Sequence, residues 1–420
     1  MRAAPETDGE TTERFDVVIA GAGYVGLSTA VAIADAAPGL KLLLVDAAPD
    51  EVWRRDTRAS AVAAGAVRML TRLGVWSEIA PEAQPITEMI VTDSRLGDVV
   101  RPVFLTFGGE GETVAAGEPF AHMVPNVALN GALRARAAAR GITIRQNCAV
   151  AGLGEAPGAL EVALAGGKSV AARLVVAADG VKSAVRDMAG IRTVSKDYDQ
   201  SGIVCTVRHE RPHGGRAEEH FLPAGPFAIL PLKGNRASLV WTESRRDAER
   251  LVNGDAFLFE IELEQRFGRK LGRLEVEGQP RAFPLGLTLA RDFVRSRVAL
   301  VGDAAHGIHP IAGQGLNLGF KDAAALAEVV VEAARLGRDI GALDVLETYS
   351  RWRRFDTLRM GLTTDVLNIL FSNDNAPLRA LRDLGLSLVD RAPGLKRYFI
   401  GEAAGRLAGP APRLLQGEAI

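Results

Sequence analysis

A glycine-rich turn between two apolar runs constrains the fold of this chain more than any other feature. The stretch FDVVIAGAGYVGLSTAVAIADAAPGLKLLLVD predicts a strand, a turn, an Ala-rich helix and a second strand, in that order. Gly21 permits a tight turn, Gly23 lets the backbone approach a pyrophosphate, and Gly26 allows the helix to pack closely on the strand. The first N–H groups of the helix then face the phosphates. The unit predicts a dinucleotide-binding site.

The acid at the end of the second strand narrows the nucleotide. Asp46 follows Gly26 by twenty residues, where a carboxylate accepts hydrogen bonds from ribose hydroxyls and repels a 2′-phosphate. NADP is therefore disfavoured at this site, whereas FAD and NAD stay open on this motif alone. Because no second complete glycine fingerprint follows, a reductase with separate FAD and NAD domains is also disfavoured.

Composition excludes several classes of protein. The 420 residues carry a formal net charge of −1, which gives no electrostatic case for nucleic acid. Cys148 and Cys205 are far apart in the sequence, so they indicate neither a disulfide framework nor a thiolate metal site. This low cysteine content is consistent with a reducing, cytosolic compartment. The uncharged run 17–34 approaches the length of a membrane span, but its three glycines and the preceding acidic leader predict neither a signal peptide nor a membrane helix.

Two later stretches repeat the pattern of a buried strand followed by Asp and Gly. LVVAADGVKSAVRDMAGI places Asp179 and Gly180 after a strand, although it also fits a plain strand, turn and capped helix. RVALVGDAAHGIHPIAGQGLNLGF places Gly302 and Asp303 after a strand at 297–301 and predicts a long helix from about Gly315. Asp303 is suited to bind a ribityl or ribose hydroxyl. The glycines would let backbone N–H groups face an electron-rich ring edge and stabilise negative charge there.

The two histidines of this glycine-rich stretch do not predict a metal site. His306 and His309 are three residues apart, but Gly307 and Pro310 favour a loop and no set of carboxylates and histidines accompanies them. We expect His306 to pack or hydrogen-bond within the loop.

The three signatures occur in the same order in the group A flavoprotein aromatic hydroxylases, and the chain resembles this family. Within it, the chain is similar to the ubiquinone-biosynthesis hydroxylases of the UbiH, UbiF and UbiL type. The likeness extends from about Phe15 to about Gly409. The finer match rests on DTRASAV (56–62), YDQSGIVCTVRHERPH (198–213), GPFAILPL (225–232), GDAAHGIHPIAGQGLNLGFKD (302–322) and LFSNDN (370–375).

The resemblance implies FAD as the cofactor and NAD(P)H as a co-substrate. The residues it implies for cofactor binding are Gly21, Gly23, Gly26, Asp46, Arg58, Asp179, Gly180, Gly302, Asp303, Gly313, Gln314 and Gly315. The residues it implies at the isoalloxazine ring, taken as the catalytic set, are Pro310, Gly315, Leu316 and Asn317. Arg58 would lie near the pyrophosphate, and Asp179 would serve both FAD and the approaching nicotinamide. One departure is Pro125-Asn126, where family members often have Glu-Asn before the helix that begins near Val127.

The implied fold class is α/β: a Rossmann-like FAD-binding domain similar to para-hydroxybenzoate hydroxylase, with an inserted β-sheet substrate domain and a helical C-terminus. We assign residues 14–83, 108–192 and 286–345 to the discontinuous FAD-binding domain. Residues 84–107, with a hairpin around Gly97-Asp98, and residues 193–285 form the substrate domain. Residues 346–420 form the helical C-terminal region.

The expected activity is hydroxylation of a polyprenylated phenol ring in ubiquinone biosynthesis, with NAD(P)H and O2, through a flavin C4a-hydroperoxide. The alternatives are an FAD-dependent reductase of isoprenoid double bonds and a non-catalytic flavin-binding subunit of a biosynthetic complex. Ring position, tail length and the choice between NADH and NADPH stay open.

The expected partners follow from the membrane-partitioning substrate. We expect a cytoplasmic protein that meets this substrate peripherally at the inner face of the membrane, or within a ubiquinone-biosynthesis complex. A leucine stripe at 378, 381, 384 and 388 is the candidate docking face, with core packing as the default interpretation.

Overall fold

The structure is a computed structural model and describes residues 12–93, 96, 103–108, 118–308, 314–371 and 411–420. The strands are β1 (Glu13–Ala20), β2 (Leu42–Val45), β3 (Ala59–Ala63), β4 (Gln84–Ile86), β5 (Glu88–Asp93), β6 (Val103–Gly108), β7 (Ala121–Pro125), β8 (Thr143–Arg145), β9 (Val150–Ala156), β10 (Ala159–Leu164), β11 (Ser169–Ala177), β12 (Thr193–His209), β13 (Arg216–Leu222), β14 (Gly225–Leu232), β15 (Arg236–Ser244), β16 (Leu274–Ala290), β17 (Val294–Arg295), β18 (Val298–Leu300) and β19 (His306–Gly307). The helices are α1 (Tyr24–Ala36), α2 (Glu51–Arg54), α3 (Ala64–Arg72), α4 (Trp76–Ile79), α5 (Asn126–Ala139), α6 (Ala184–Met188), α7 (Arg245–Asn253), α8 (Ala256–Phe267), α9 (Gln314–Arg335), α10 (Leu343–Phe371) and α11 (Arg413–Gln416).

The first sheet carries the dinucleotide-binding unit. Six of its eight described strands lie in the order β17, β18, β11, β1, β2 and β8, while β10 pairs with β11 and with β9. Strand β1 pairs in parallel with both β11 and β2. All four residues of β2 are buried, as expected for a parallel strand covered on both faces. Helices α1 and α9 pack together beside this sheet within the main hydrophobic core. The carboxyl ends of β1, β2, β11 and β18 therefore meet at one edge, where such sheets bind ligands.

The second sheet is antiparallel apart from one pair, and its strands lie in the order β19, β16, β12, β15, β14, β13, β5 and β6. The predicted hairpin is confirmed, because β5 and β6 pair antiparallel from Glu88 opposite Gly108 to Thr92 opposite Val103. Its turn lies outside the described residues. A small third sheet joins β3, β7 and β4.

Two helices behind the second sheet were not predicted from the sequence. Ser244 caps α7, and Asp255 caps α8 by accepting hydrogen bonds from the N–H groups of Phe257 and Leu258. Arg266 of α8 stacks on the Trp241 ring and donates to the Glu243 carboxylate at 2.8 Å. This buried pair holds α8 against the back of the sheet.

The predicted fold class is confirmed, as are the helices expected near Val127 and Gly315. The run 17–34 divides into the end of β1, a turn and most of α1. Within the described part of the chain, no helix is both long and apolar enough to cross a membrane. The division into domains stays a prediction; its boundary between residues 285 and 286 falls inside β16. Of the predicted C-terminal helical region, α10 and α11 are described, and residues 372–410, with the leucine stripe, lie outside the described residues.

Candidate active site

The turn between β1 and α1 is shaped by its three glycines. Gly21 has a φ of +103°, and a Cβ there would collide with the carbonyl group of Ala178 at the end of β11. A Cβ on Gly26 would collide with the carbonyl oxygen of Gly21, so the helix could not start this close to the strand. A Cβ on Gly23 would meet nothing within 4 Å, because this residue faces a cavity at the N-terminus of α1.

Asp46 is fixed in place directly after β2. One carboxylate oxygen accepts a hydrogen bond from the N–H of Ala22 and the other from the N–H of Ala48, both at 2.8 Å. The side chain lines the same cavity as Gly23. Since a carboxylate oxygen can accept more than one hydrogen bond, both oxygens still have capacity for ribose hydroxyls. That contact stays a prediction.

The cavity has a volume of about 830 Å³ and joins the two large sheets. One wall is formed by the glycine turn, Asp46 and Asp303 at the carboxyl edge of the first sheet. Another part of the lining comes from the second sheet and is here named the sheet wall; it includes Met89, Glu219, Ala228, Leu230, Val240 and Thr242. Gly315, Leu316 and Asn317, at the start of α9, line the cavity as well.

The turn that bears Asp303 is held at both ends by one buried carboxylate. An oxygen of Asp322 accepts hydrogen bonds from the N–H of Gly302 at 2.9 Å and from Nε2 of His306 at 2.5 Å. The other oxygen accepts from Nε of Arg353, on α10, at 2.7 Å. Asp322 and His306 are fully buried, and Arg353 is nearly so. Asp303 lies between the two bonded ends, so Asp322 fixes its position.

Burial and neighbouring charges set the protonation of this group of residues. Burial acts to lower the pKa of His306, but the Asp322 carboxylate outweighs it and the pKa is raised above 6.5. Burial acts to raise the pKa of Asp322, but the His306 and Arg353 cations outweigh it and the pKa is lowered below 3.8. The Asp303 side chain is open to the cavity yet enclosed by protein on its other sides, and this burial raises its pKa. Nearby Tyr24 has a pKa raised to about 12 by burial and by Asp303, so its hydroxyl stays protonated.

Sequence reasoning placed Asp303 shortly after a strand and expected His306 to pack or to form a hydrogen bond, and the structure confirms both expectations. The binding role of Asp303 stays a prediction. Sequence reasoning missed Asp322 and Arg353. A signal was present, because Lys321 and Asp322 interrupt an otherwise apolar helix start, and charges in such a position are paired when buried. Among the described residues, no group of three or more His, Cys, Asp or Glu side chains could hold a metal ion.

Asp179 directs its carboxylate towards the helix that follows. It accepts hydrogen bonds from Oγ of Ser183 at 2.5 Å and from the N–H of Val185 at 3.2 Å, while Ser183 itself caps α6. The capped-helix interpretation of this stretch is thus confirmed. Gly180, with a φ of +83°, lines the cavity beside it. A direct role of Asp179 towards FAD stays a prediction.

Arg58 and Asn126 both donate hydrogen bonds to the carboxylate of Asp56. The Arg58 guanidinium donates two hydrogen bonds to Asp56, each at 2.8 Å, and lies 5.4 Å from the ring of Phe283 on β16. Nδ2 of Asn126 donates to the same carboxylate at 3.0 Å, and Oδ1 of Asn126 accepts from Oγ of Ser60. Asn126 therefore holds Asp56 and, through it, Arg58.

The start of α9 is anchored to the third sheet. Asn317 donates from Nδ2 to the carbonyl oxygen of Ala61 and accepts from the N–H of Ala63 through Oδ1, both at 2.9 Å. A Cβ on Gly315 would meet nothing within 4 Å. Pro310 and Gly313 lie outside the described residues, and of Gln314 only the backbone is described. The roles of Gly315, Leu316 and Asn317 at a flavin ring stay predictions.

Comparison with known proteins identifies the family. The sequence profile described as FAD binding domain matches residues 14–356. The chain is 42% identical over 415 residues, covering 97% of it and 94% of the relative, to ubiquinone hydroxylase UbiL of Rhodospirillum rubrum. It is 34% identical to 3-demethoxyubiquinol 3-hydroxylase of Escherichia coli, covering 94% of this chain and 100% of that protein. The chain belongs to the FAD binding domain family. The resemblance to ubiquinone-biosynthesis hydroxylases is confirmed.

Solved structures agree on the fold of this FAD-binding family member. The structure of p-nitrophenol 4-monooxygenase PnpA from Pseudomonas putida superposes with a TM-score of 0.76 at 20% identity, covering 95% of this chain and 100% of that one. OxyS anhydrotetracycline hydroxylase from Streptomyces rimosus gives a TM-score of 0.71 at 25% identity, covering 95% and 77%.

The residues present fit FAD. The free N–H groups at the N-terminus of α1 face open space at Gly23, where a diphosphate can approach the backbone. Asp46 and Asp303 place acceptors at the ends of β2 and β18, as the hydroxyls of a ribose and a ribityl chain require. A Cβ on Gly315 would project into the same cavity, so this glycine leaves room for a ring at the start of α9.

Proposed function

We propose that this protein is an FAD-dependent monooxygenase that hydroxylates the phenol ring of a ubiquinone precursor, with NAD(P)H as electron donor and O2 as oxygen source. The observation that carries the proposal is a cavity that is lined both by the cofactor residues of the first sheet and by the sheet wall. The full-length relatives named as ubiquinone hydroxylases support the substrate class.

The first task of the protein is to hold the cofactor. The N-terminus of α1 binds the diphosphate, Asp46 binds the adenosine ribose, and Asp303 binds the ribityl chain. Asp322 keeps the Asp303 turn rigid, which reduces the entropy lost when the cofactor binds. When bound, FAD supplies the oxygen-transfer chemistry after reduction by NAD(P)H.

The second task is electrostatic. The positive end of the α9 dipole, a helix of 22 residues, points to the region of Gly315 and Leu316 that lines the cavity. Backbone N–H groups in this first turn stabilise negative charge on a reduced ring. Tyr24 stays protonated and can donate a hydrogen bond into the cavity at neutral pH.

The third task is to exclude water from the reacting ring. Met89, Leu230 and Val240 give the sheet wall an apolar surface that suits a phenol ring carrying an isoprenoid substituent. An apolar surface around the reacting atoms also limits loss of activated oxygen as H2O2.

The polyprenyl tail, the contact with a membrane, membership of a biosynthetic complex and a cytoplasmic location belong to the same proposal. The leucine stripe proposed as a docking face lies outside the described residues. The two other candidate functions, reduction of isoprenoid double bonds and non-catalytic flavin binding, predict no substrate-dependent consumption of O2.

Oxygen uptake tests the proposal. Purified FAD-loaded protein should reduce its flavin with NAD(P)H and should consume O2 faster when a short-tailed phenolic precursor is added. Flavin reduction without any phenol-dependent O2 uptake would favour the reductase, and no reduction by either donor would favour the non-catalytic subunit.

A further inference from the structure

Helix α8 has an apolar surface on the side that faces away from the second sheet. Phe259 and Leu263 of this helix pack into a buried hydrophobic cluster with strands of that sheet. On the other side, Phe257 is 68% exposed, and Leu258 and Ile261 are exposed as well. A lone exposed apolar residue is ordinary, whereas three neighbours on one helix surface, one of them aromatic, are typical of a binding surface.

Two acids lie beside these apolar residues. Glu260 and Glu264 are exposed and lie one turn apart on α8, so they share a side of the helix with Phe257 and Ile261. Neither carboxylate forms an ion pair with any residue that the structure describes. We name this surface, formed by Phe257, Leu258, Glu260, Ile261 and Glu264, the acidic face.

Helix α10 carries an exposed apolar surface of the opposite charge. Phe355 is 75% exposed, and Leu358, three residues further on, is also exposed. Arg351 and Arg354 are exposed at spacings of three or four residues from this pair, so all four side chains lie on one side of the helix. Within the described part of the chain, neither arginine forms an ion pair. We name these four residues the basic face; it ends one turn earlier, at the exposed acid Glu347.

The acidic face and the basic face of one chain do not cover each other. Both are exposed in the same folded chain, because α8 packs behind the second sheet whereas α10 packs on α9 beside the first. Their chemistry is nevertheless complementary, since each has an apolar centre and the two carry opposite, unpaired charges. A contact between the two faces therefore requires a second copy of the chain.

We propose that the acidic face of one copy binds the basic face of a second copy, and that this contact is made twice in a two-fold symmetric dimer. Two-fold symmetry repeats every contact, so each copy uses both of its faces. The apolar side chains exclude water at the centre of each contact, and the glutamates lie opposite the arginines at its rim. The charges select this pairing over a contact between two acidic faces or two basic faces. None of these residues lines the cavity, so the inference does not depend on the proposed activity.

Sedimentation equilibrium of the FAD-loaded, full-length protein measures the dimer. The wild-type protein should change from monomer to dimer as its concentration is raised. Phe257→Ser combined with Ile261→Ser should raise the dissociation constant about 100-fold, because each contact loses two apolar side chains from its centre. Leu336→Ser is the matched control, since Leu336 is exposed but belongs to neither face, and it should leave the dissociation constant unchanged.

Charge reversal distinguishes this pairing from any other contact between copies. One variant carries Glu260→Arg with Glu264→Arg, and the other carries Arg351→Glu with Arg354→Glu. Each variant alone should be monomeric where the wild-type protein is dimeric, because like charges then face each other. An equimolar mixture of the two should dimerise, because each face then meets a partner of opposite charge.

Three results would overturn the inference. The first is a wild-type protein that stays monomeric at every concentration. The second is a serine variant, or a charge-reversed variant on its own, that dimerises as the wild-type protein does. The third is a mixture of the two charge-reversed variants that stays monomeric although each variant retains its bound FAD.

Discussion

Replacement of Asp322 by Asn should destabilise the protein far more than the loss of one ordinary hydrogen bond. The substitution removes the charge that pairs with His306 at 2.5 Å and with Arg353 at 2.7 Å, in a fully buried position. Breaking a buried ion pair from one side costs about 3–5 kcal/mol, because the remaining charge is left without compensation. Arg353 keeps Asp356 as a partner at 2.8 Å, so most of the loss should fall on His306.

Urea denaturation of the apoprotein, followed by far-UV circular dichroism, measures this loss. Asp344→Asn is the control, because Asp344 forms an exposed pair with Arg338 and such pairs contribute about 0–1 kcal/mol. His306→Gln should lower the free energy of unfolding much less in the Asp322→Asn background than in the wild-type background, because in the former the histidine has already lost its partner. Asp322→Asn with a stability within 1 kcal/mol of wild type would refute the reasoning.

The Asp322–His306 pair also makes the stability of the protein depend on pH. The folded-state pKa of Asp322 is lowered, so its contribution is present above about 3.8 and is lost as the pH falls through the folded value. The folded-state pKa of His306 is raised, so its contribution is complete below about 6.5 and is lost as the pH rises through the folded value. The pair should therefore contribute most to the stability of the folded protein between about pH 3.8 and pH 6.5. In Asp322→Asn the alkaline decline in stability should be shallower than in wild type.

Three other substitutions test the cofactor site. Asp303→Ala should weaken FAD binding by roughly 1.5–3 kcal/mol, the value of a charge-assisted hydrogen bond, and an unchanged Kd in apoprotein reconstitution would contradict its assignment to the ribityl chain. Gly315→Val should lower FAD affinity with little loss of apoprotein stability, whereas Gly319→Ala, whose Cβ would lie 2.5 Å from Val25, should lower stability itself; thermal melts and flavin titrations separate the two effects. Asn317→Leu leaves the N–H of Ala63 and the carbonyl of Ala61 without their side-chain partner on an edge strand, and should cost about 1–3 kcal/mol for each group in denaturant melts.

Local features allowed much of the fold to be predicted from the sequence. The spacing of Gly21, Gly23 and Gly26 specifies a turn that sterics permit in one arrangement, so the first strand, helix and second strand followed directly. The strand before Asp303 and the helix from Gln314 were found for the same reason. Helices α7 and α8 were missed because their capping residues are short-range signals inside a region dominated by alternating strand patterns.

The parts of the site that were missed depend on long-range contacts. Asp322 reaches His306 across 16 residues and Arg353 across 31; the local pattern indicates that charges in this helix are paired, but it does not identify their partners. Glu219 looks like any exposed strand residue in the sequence RAEEHF, yet it is buried in the structure. The cavity itself is a product of the two sheets and could not be derived from either one alone.

Incorporation of labelled oxygen tests the central proposal most directly. Purified FAD-loaded protein should be incubated with NAD(P)H, 18O2 and a short-tailed phenolic precursor, and the product analysed by mass spectrometry. The proposed hydroxylation predicts one 18O atom in each product molecule, bonded to the ring. A product without label, or NAD(P)H consumption that yields only H2O2 and returns the phenol unchanged, would contradict it.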